Sequence, residues 1–371
     1  MKILLTANTS FALANFRAGL IAALKQDGHE LVALVPVDDY TPALREAGCT
    51  VIELPMDRRG TRPDREAATF LTVARTLREV RPGAVLSYTI KNNLYSGIAA
   101  RAMGIPFLPN VTGLGTVFSG RSTTTILAQR AYRLAFGRAR AVFFQNSEDR
   151  ARFTGEGLVT EERARLLPGS GVDLGRFAVT PLPGTQQAPV FLLIARLLWE
   201  KGIGEYVEAA RIVRERYPEA QFRILGALEK PGDAAVPEAR LAEWTEEGAV
   251  SYLGTARDVR PVIAGADCVV LPSYYREGTP RVLLEAAASG RPVVTTGEPG
   301  CRDVVADGKT GYLVTSRDAR DLARALLQIA DAAPEARQAM GCAGRARMES
   351  LYDEKLVITA YRTVLNELSA A

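Results

Sequence analysis

The chain has a single histidine, His29, and its four cysteines, Cys49, Cys268, Cys301 and Cys342, lie far apart with no C-x-x-C pair. These shortages remove whole classes of chemistry. Histidine-based triads and clustered histidine metal sites lack their residues, and neither a zinc site nor a disulfide framework is suggested. His29, in "DGHELVALVP" just before a predicted strand, reads as structural. No Asp-x-Asp occurs anywhere. No apolar run approaches the roughly 20 residues of a membrane-spanning helix. The opening "MKILLTANTS" reads as a first strand, not a signal peptide, so the expected location is cytoplasmic. Acidic residues are missing from one long interval. None occurs between Glu79 and Glu148, where Arg81, Lys91, Arg101, Arg121, Arg130, Arg133, Arg138 and Arg140 fall. A basic surface of that kind attracts phosphate-bearing partners or an anionic leaflet. No nucleic-acid motif or aromatic-basic platform accompanies the charge, so nucleic acid is not the expected partner.

What is present is the composition of a globular enzyme, 47% hydrophobic and 24% charged, which argues against extensive disorder. At 371 residues the chain is too long for one ordinary core, and two domains are expected. The halves differ in charge. Residues 1–180 hold 23 Lys and Arg against 16 Asp and Glu, while residues 181–371 hold 23 against 26.

Short apolar runs alternate with helical patterns from the amino end: "KILLTA", a helical pattern over 12–27, "ELVALVP", 41–47, "TVIELP", 63–80, "AVLSYT", "FLPNVT", a helix near 121–138, "AVFFQN" and "ARLLPG". That rhythm predicts an α/β fold with a parallel sheet covered on both faces. Residues 169–189 break it with Gly, Pro and polar residues and read as a linker. The grammar then restarts with "VFLLIA", "FRILG", "VSYLG", "CVVLPS", "PVVTT" and "GYLV", followed by three helical stretches. The expected division is an amino-terminal Rossmann-like domain over 1–178, a second over 179–352, and a final helix over 353–371 packing back toward the first domain. Two doubly wound domains in tandem make a cleft, and ligands in such sheets bind beyond the carboxyl ends of strands. "GSGVDLG" has the wrong glycine spacing for a dinucleotide fingerprint, and "DGKTG" lacks the upstream glycine of a phosphate-binding loop.

Two segments after strands could carry chemistry. "IARLLWEKGIGEYVEAA" places Arg196 and Lys201 on a strand-to-helix loop, two cations at a sheet edge beside a helix start. That arrangement suits an anion. In "YYREGTPRVLLEAAASG", Thr279 is an acceptable N-cap and Pro280 suits the first helical turn, so a helix should begin at about Thr279. It reads as apolar on every face except for Glu285. A buried carboxylate needs a partner. Either an internal salt bridge or structural hydrogen bonds supply it, or a ligand does so with a pair of hydroxyls. On the second reading Glu277 meets a sugar near the helix start, Glu285 meets a ribose, and the cations grip a diphosphate without a metal.

The Glu277-to-Glu285 spacing, Arg196 with Lys201 five positions later, and two Rossmann-like halves resemble the retaining glycosyltransferases of family four, which have the GT-B fold. The resemblance spans nearly the whole chain. It implies that Arg196 and Lys201 neutralise the diphosphate of a nucleotide sugar. Gly278, Thr279 and Pro280 would bring backbone close to donor sugar and phosphate, with Glu277 on the donor-sugar hydroxyls and Glu285 on the ribose. The base would lie near Tyr252 and Leu253. "ANFR" at 14–17, "YTIKNNLYSGIAA" at 88–100, "NVTGLGTVFSG" at 110–120, "FFQNSEDRARF" at 143–153 and "PGCRDVV" at 299–305 resemble bacterial enzymes that extend undecaprenyl-diphosphate-linked sugars, among them transferases of N-acetylgalactosamine and related hexoses. Many family members place a histidine near the donor sugar. None is available here, and backbone groups of Thr112, Gly113 and on to Gly115 are the expected substitutes.

The resemblance implies a UDP-sugar donor, no cofactor, a lipid-diphosphate-linked saccharide acceptor and front-face displacement with retention. Asn15, Phe16, Arg17 and Lys91 are acceptor-side candidates, with capping and packing at a helix start as the alternative for each. Arg121, Arg130, Arg133 and Arg138 would seat the enzyme on the inner face of the cell membrane or meet the carrier's diphosphate. Two rival functions share the architecture: a nucleotide-sugar epimerase and a nonenzymatic nucleotide-sugar-binding protein.

Overall fold

A computed structural model describes residues 1–57, 60, 62–114, 123–183, 188–230, 232 and 234–369, with the side chains of 123–126 excepted. Gly115 and Arg121, named above, lie outside the described residues. The chain forms two compact units, one of Met1–Ser170 with Glu354–Ala371, the other of Gly171–Asp353.

Unit 1 runs β1 (Lys2–Thr6), α1 (Ser10–Phe16), α2 (Ala18–Gln26), β2 (Glu30–Val35), α3 (Thr41–Glu46), β3 (Thr50–Glu53), α4 (Pro63–Val80), β4 (Ala84–Tyr88), α5 (Ile90–Met103), β5 (Phe107–Val111), α6 (Thr123–Phe136), β6 (Val142–Phe144), α7 (Ser147–Gly155) and β7 (Ala164–Leu166). Its sheet has the order β3-β2-β1-β4-β5-β6-β7 and is parallel throughout. Strands such as β4, Ala-Val-Leu-Ser-Tyr in sequence and buried at every position, are mostly apolar because both faces are covered. One face packs Leu13, Leu20 and Leu24, the other Val73, Leu77 and Phe136. The single helical pattern expected over 12–27 is two helices, broken at Arg17, whose φ of −129° and ψ of 11° leave the helical region.

Unit 2 runs β8 (Val190–Ile194), a 3-10 turn at Trp199–Lys201, α8 (Ile203–Arg216), β9 (Gln221–Leu225), α9 (Glu238–Glu246), β10 (Ser251–Tyr252), α10 (Arg260–Ala264), β11 (Cys268–Leu271), α11 (Arg281–Ala288), β12 (Val293–Thr296), β13 (Gly311–Val314), α12 (Ala319–Asp331) and α13 (Pro334–Leu351). The parallel order is β10-β9-β8-β11-β12-β13. The last helix, α14 (Glu354–Ser369), belongs to unit 1. There it packs on α2 and sends Val357, Tyr361 and Leu365 into the core.

The first unit ends at Ser170, not at 178. Residues 171–183 are anchored in unit 2: Val172 and Phe177 join its core, and the fully buried Arg291 donates to the carbonyls of Thr180 (2.9 Å) and Pro181 (2.7 Å).

Candidate active site

Each sheet reverses its strand order at one point, between β1 and β4 in unit 1 and between β8 and β11 in unit 2. Loops leaving the carboxyl ends of those strand pairs diverge and leave room for a ligand. In unit 2 these are the loops that carry Arg196 and Lys201, after β8, and Glu277, after β11.

The two loops are knitted together by backbone. The Glu200 carbonyl accepts from the amides of Tyr274 (2.9 Å) and Tyr275 (3.2 Å) and from the Ser273 hydroxyl (3.2 Å). Gly202, with φ of +76°, lies against the Pro272 carbonyl where a Cβ would collide. This contact fixes Lys201 beside Glu277. The Lys201 ammonium donates to Glu277 Oε1, the Ser273 hydroxyl reaches the same oxygen at 3.2 Å, and the ammonium lies 5.1 Å from the Tyr275 ring centroid. Both charged side chains are about nine-tenths buried, at 11% and 14% exposure. Arg196 is more open and pairs with Glu229 at 2.9 Å.

The helix expected from Thr279 begins two residues later. Pro280, at ψ of 116°, is extended and serves as the N-cap, and it has no side-chain hydrogen bond to offer. Proline also pushes the residue before it out of the helical region, which removes Thr279 from the helix. Gly278, Thr279 and Pro280 are buried. Gly300, in the loop after β12, approaches the Gly278 carbonyl so closely that a Cβ there would clash. Only one face of α11 is open, the one bearing Arg281, Val282 and Glu285. Glu285 is therefore not stranded: Arg281 Nε donates to its Oε1 at 2.8 Å, one helical turn away. Burial still pushes the Glu285 carboxyl above the ordinary range, against the pull of Arg281.

On the far side of β9, Tyr252 donates its hydroxyl to the Gly226 carbonyl at 2.8 Å, and Leu253 is 42% exposed just past the end of β10. Among the described residues no group of three or more His, Cys, Asp or Glu is placed to hold a metal ion.

In unit 1 the structure gathers Asn15, Phe16 and Arg17 after β1, Lys91 after β4, and Thr112 and Gly113 after β5. Asn15 donates its side-chain amide to the Phe11 carbonyl one turn back in its own helix (3.3 Å), and Phe16 packs edge-on against Phe11. Lys91 Nζ holds Glu66 Oε1 (2.7 Å) and the carbonyls of Asp57 (2.9 Å) and Gly60, three acceptors for three ammonium protons. That ties it to the 57–66 segment. Thr89, directly after β4, adopts φ of 73° and ψ of 154°, a region that β-branched residues rarely enter, and its hydroxyl bonds Asn92 at 2.9 Å. A separate cavity of ≈ 300 Å³ is lined in part by Arg101, Arg138, Arg140 and Arg163, where the chain enters β5, β6 and β7. It therefore lies at the opposite edge of the sheet from the switch-point loops.

Sequence reasoning did not single out Ser273, Tyr275, Glu229 or the Glu200 carbonyl, because each acts through tertiary contact alone. Arg281 was readable as the i−4 neighbour of Glu285.

Comparison with known proteins gives this geometry a family. The profile "Glycosyl transferase 4-like domain" matches residues 13–169, and "Glycosyl transferases group 1" matches 188–332. The chain is 27% identical over 378 residues to N,N'-diacetylbacillosaminyl-diphospho-undecaprenol alpha-1,3-N-acetylgalactosaminyltransferase of Campylobacter jejuni, covering 97% of each. It is 23% identical to UDP-Gal:alpha-D-GlcNAc-diphosphoundecaprenol alpha-1,3-galactosyltransferase of Escherichia coli, over 72% of this chain and 71% of that one. HepE of Anabaena, solved in complex with UDP and glucose, shares the fold with a TM-score of 0.79 at 19% identity, over 99% of each chain. With a matching profile on each of its two parallel-sheet domains, the chain belongs to the glycosyltransferases of family four, with the GT-B fold.

Proposed function

We propose that the protein transfers a hexose or N-acetylhexosamine from a UDP-sugar to a polyprenyl-diphosphate-linked saccharide, with retention at the anomeric carbon, in the assembly of a bacterial surface glycan. The observation that carries this reading is the meeting of Lys201 and Glu277 on two loops locked together at the switch point of unit 2, with Arg196 on the first of those loops. The acceptor class is supported by the Campylobacter jejuni and Escherichia coli relatives, both of which act on diphospho-undecaprenol-linked sugars. The second makes an alpha linkage from UDP-Gal, whose own anomeric bond is α, and that outcome is retention.

On this reading Arg196 and Lys201 bind the donor diphosphate, joined by the amino-terminal end of α11, where Pro280 gives no side-chain cap. As the bond from the anomeric carbon to the phosphate oxygen breaks, charge grows on that oxygen, and preorganised donors stabilise it most in the transition state. The acceptor hydroxyl forms the new bond on the same face and passes its proton to the leaving phosphate oxygen. A diphosphate that engages Lys201 frees Glu277 to take donor-sugar hydroxyls. Glu285 takes the ribose diol while keeping Arg281, and Gly278, Thr279 and Pro280 line the sugar and phosphate. The uracil lies by Tyr252 and Leu253. Two cations and the helix amides meet the diphosphate charge without a divalent ion. Asn15, Phe16, Thr112 and Gly113 serve the acceptor side.

Association with an anionic membrane surface is supported by α6. Leu127 (68% exposed) and Leu134 (47%) stand one heptad apart, on the helix that also exposes Arg130 and Arg133. An exposed apolar stripe flanked by arginine suits a headgroup interface. No described helix is long and apolar enough to cross a membrane. The test is to incubate the protein with a panel of nucleotide sugars, with and without a polyprenyl-diphosphate-linked sugar. Acceptor-dependent release of UDP with a lengthened glycan is expected. Epimerised donor, or binding without turnover, would replace this reading with one of its rivals.

A further inference from the structure

Among the described residues, Arg17 is a buried cation without a counter-charge. It is 4% exposed, its Nη1 is buried with no hydrogen-bond partner, and among the described residues its side chain makes no hydrogen bond or ion pair. The guanidinium stands over the face of Tyr88, with its carbon 4.5 Å from the ring centroid. Tyr88 supplies no charge, because burial holds its hydroxyl well above the ordinary phenol range. Such a position is costly, since a buried charge is normally paired or fully hydrogen-bonded. The same chain shows the usual solution elsewhere. Arg291, 0% exposed, donates to the carbonyls of Ile263, Thr180, Pro181 and Ala264 and to the Thr180 hydroxyl.

The location is equally specific. Arg17 interrupts the helix that would otherwise run from α1 into α2, and Tyr88 is the last residue of β4. The pair therefore stands at the switch point of the unit 1 sheet, beside the outlying backbone of Thr89. The polar side chains around this end of the sheet, Thr6, Asn92, Asn93 and Asn110, are neutral and buried.

We propose that Arg17 is an anion receptor in unit 1, whose guanidinium takes a phosphate oxyanion of a substrate where a protein carboxylate would ordinarily stand. Resting on the transferase reading, the oxyanion comes from the diphosphate of the lipid-linked acceptor. Planar guanidinium matches phosphate with two parallel N–H donors, which an ammonium cannot do.

The experiment uses the full chain as wild type, Arg17→Met and Arg17→Lys, followed by thermal unfolding with saturating UDP and then with added inorganic pyrophosphate. Saturating UDP fills the diphosphate site of unit 2, so the added shift reads unit 1. Without ligand, Arg17→Met is expected to melt at or above the wild-type temperature, because an uncompensated buried charge has been removed. Pyrophosphate should raise the wild-type melting temperature further, and both variants should lose that increment. If their UDP shift is intact, the oxyanion is the acceptor's, and Arg17→Lys should raise the acceptor KM at least tenfold with kcat changed less. A UDP shift that disappears with Arg17 overturns the proposal, because UDP would then depend on the residue assigned to the acceptor. A pyrophosphate increment that is absent from the wild type, or that both variants keep, overturns the proposal. A wild type that shows no UDP shift at all instead refutes the donor reading of unit 2.

Discussion

Replacing Glu285 with glutamine is expected to weaken UDP binding about 100-fold while leaving the fold nearly intact. The carboxylate offers two acceptors to the two hydroxyls of a ribose, and hydrogen bonds to a charged group contribute roughly 1.5–3 kcal/mol each. Glutamine keeps one neutral acceptor and turns the other into a donor, so a loss of about 3 kcal/mol, or roughly two decades in Kd, is expected. Arg281 is the structural counterweight. Its 2.8 Å bond to Glu285 can be remade to the amide oxygen, so stability should fall by only about 1 kcal/mol. The pH dependence carries two opposite signs. Burial raises the folded-state pKa of Glu285 above its unfolded value. This group therefore makes the fold more stable as pH falls through the window between the two values. UDP binding, which on the proposed reading uses the carboxylate, should weaken over that same window, and both trends should vanish in the glutamine variant. Calorimetric titration with UDP and thermal melts across pH measure the two effects. A variant that binds UDP within twofold of wild type, with an unchanged pH trend, would refute the ribose assignment.

Lys201→Ala should lower kcat by about 10²- to 10³-fold, the usual effect of deleting one donor to a developing oxyanion, and steady-state rates near wild type would contradict that role. Gly202→Ala should lower the melting temperature and weaken UDP binding together, since the left-handed backbone and the Pro272 carbonyl both oppose a Cβ. A silent substitution there would mean that the two loops are not locked. The double variant Arg130→Gln, Arg133→Gln should reduce binding to anionic vesicles roughly 30-fold, at about 1 kcal/mol per cation. Flotation that is equal on neutral and anionic vesicles would remove the membrane assignment. On the proposed reading, in which protein cations meet the diphosphate charge, turnover should also survive a chelator.

Parallel strands buried on both faces were legible as continuous apolar runs, and the loops after them followed from the same pattern. Helix α5 was not legible, for a physical reason. Its buried residues, Asn92, Asn93, Ser96 and Gly97 beside Ala99 and Ala100, mix polar and small side chains and give no strong apolar stripe. Asn92 bonds the Thr6 hydroxyl and Asn93 bonds the Asn110 carbonyl, tertiary hydrogen bonds that leave no periodic signal. The break at Arg17 was hidden because arginine is a good helix former and the period runs on across it. In the second domain the cations and acids were identifiable by type and spacing. Their mutual pairing was not, because Lys201 and Glu277 meet only through the contacts between the loops after β8 and β11.

The most direct test of the central claim is a crystal structure of the protein with UDP. The diphosphate should lie at the carboxyl edge of β8 and β11, within hydrogen-bond reach of Arg196 and Lys201, with the ribose hydroxyls on Glu285. A diphosphate bound away from those loops, or bridged to the protein through a divalent ion, would contradict it.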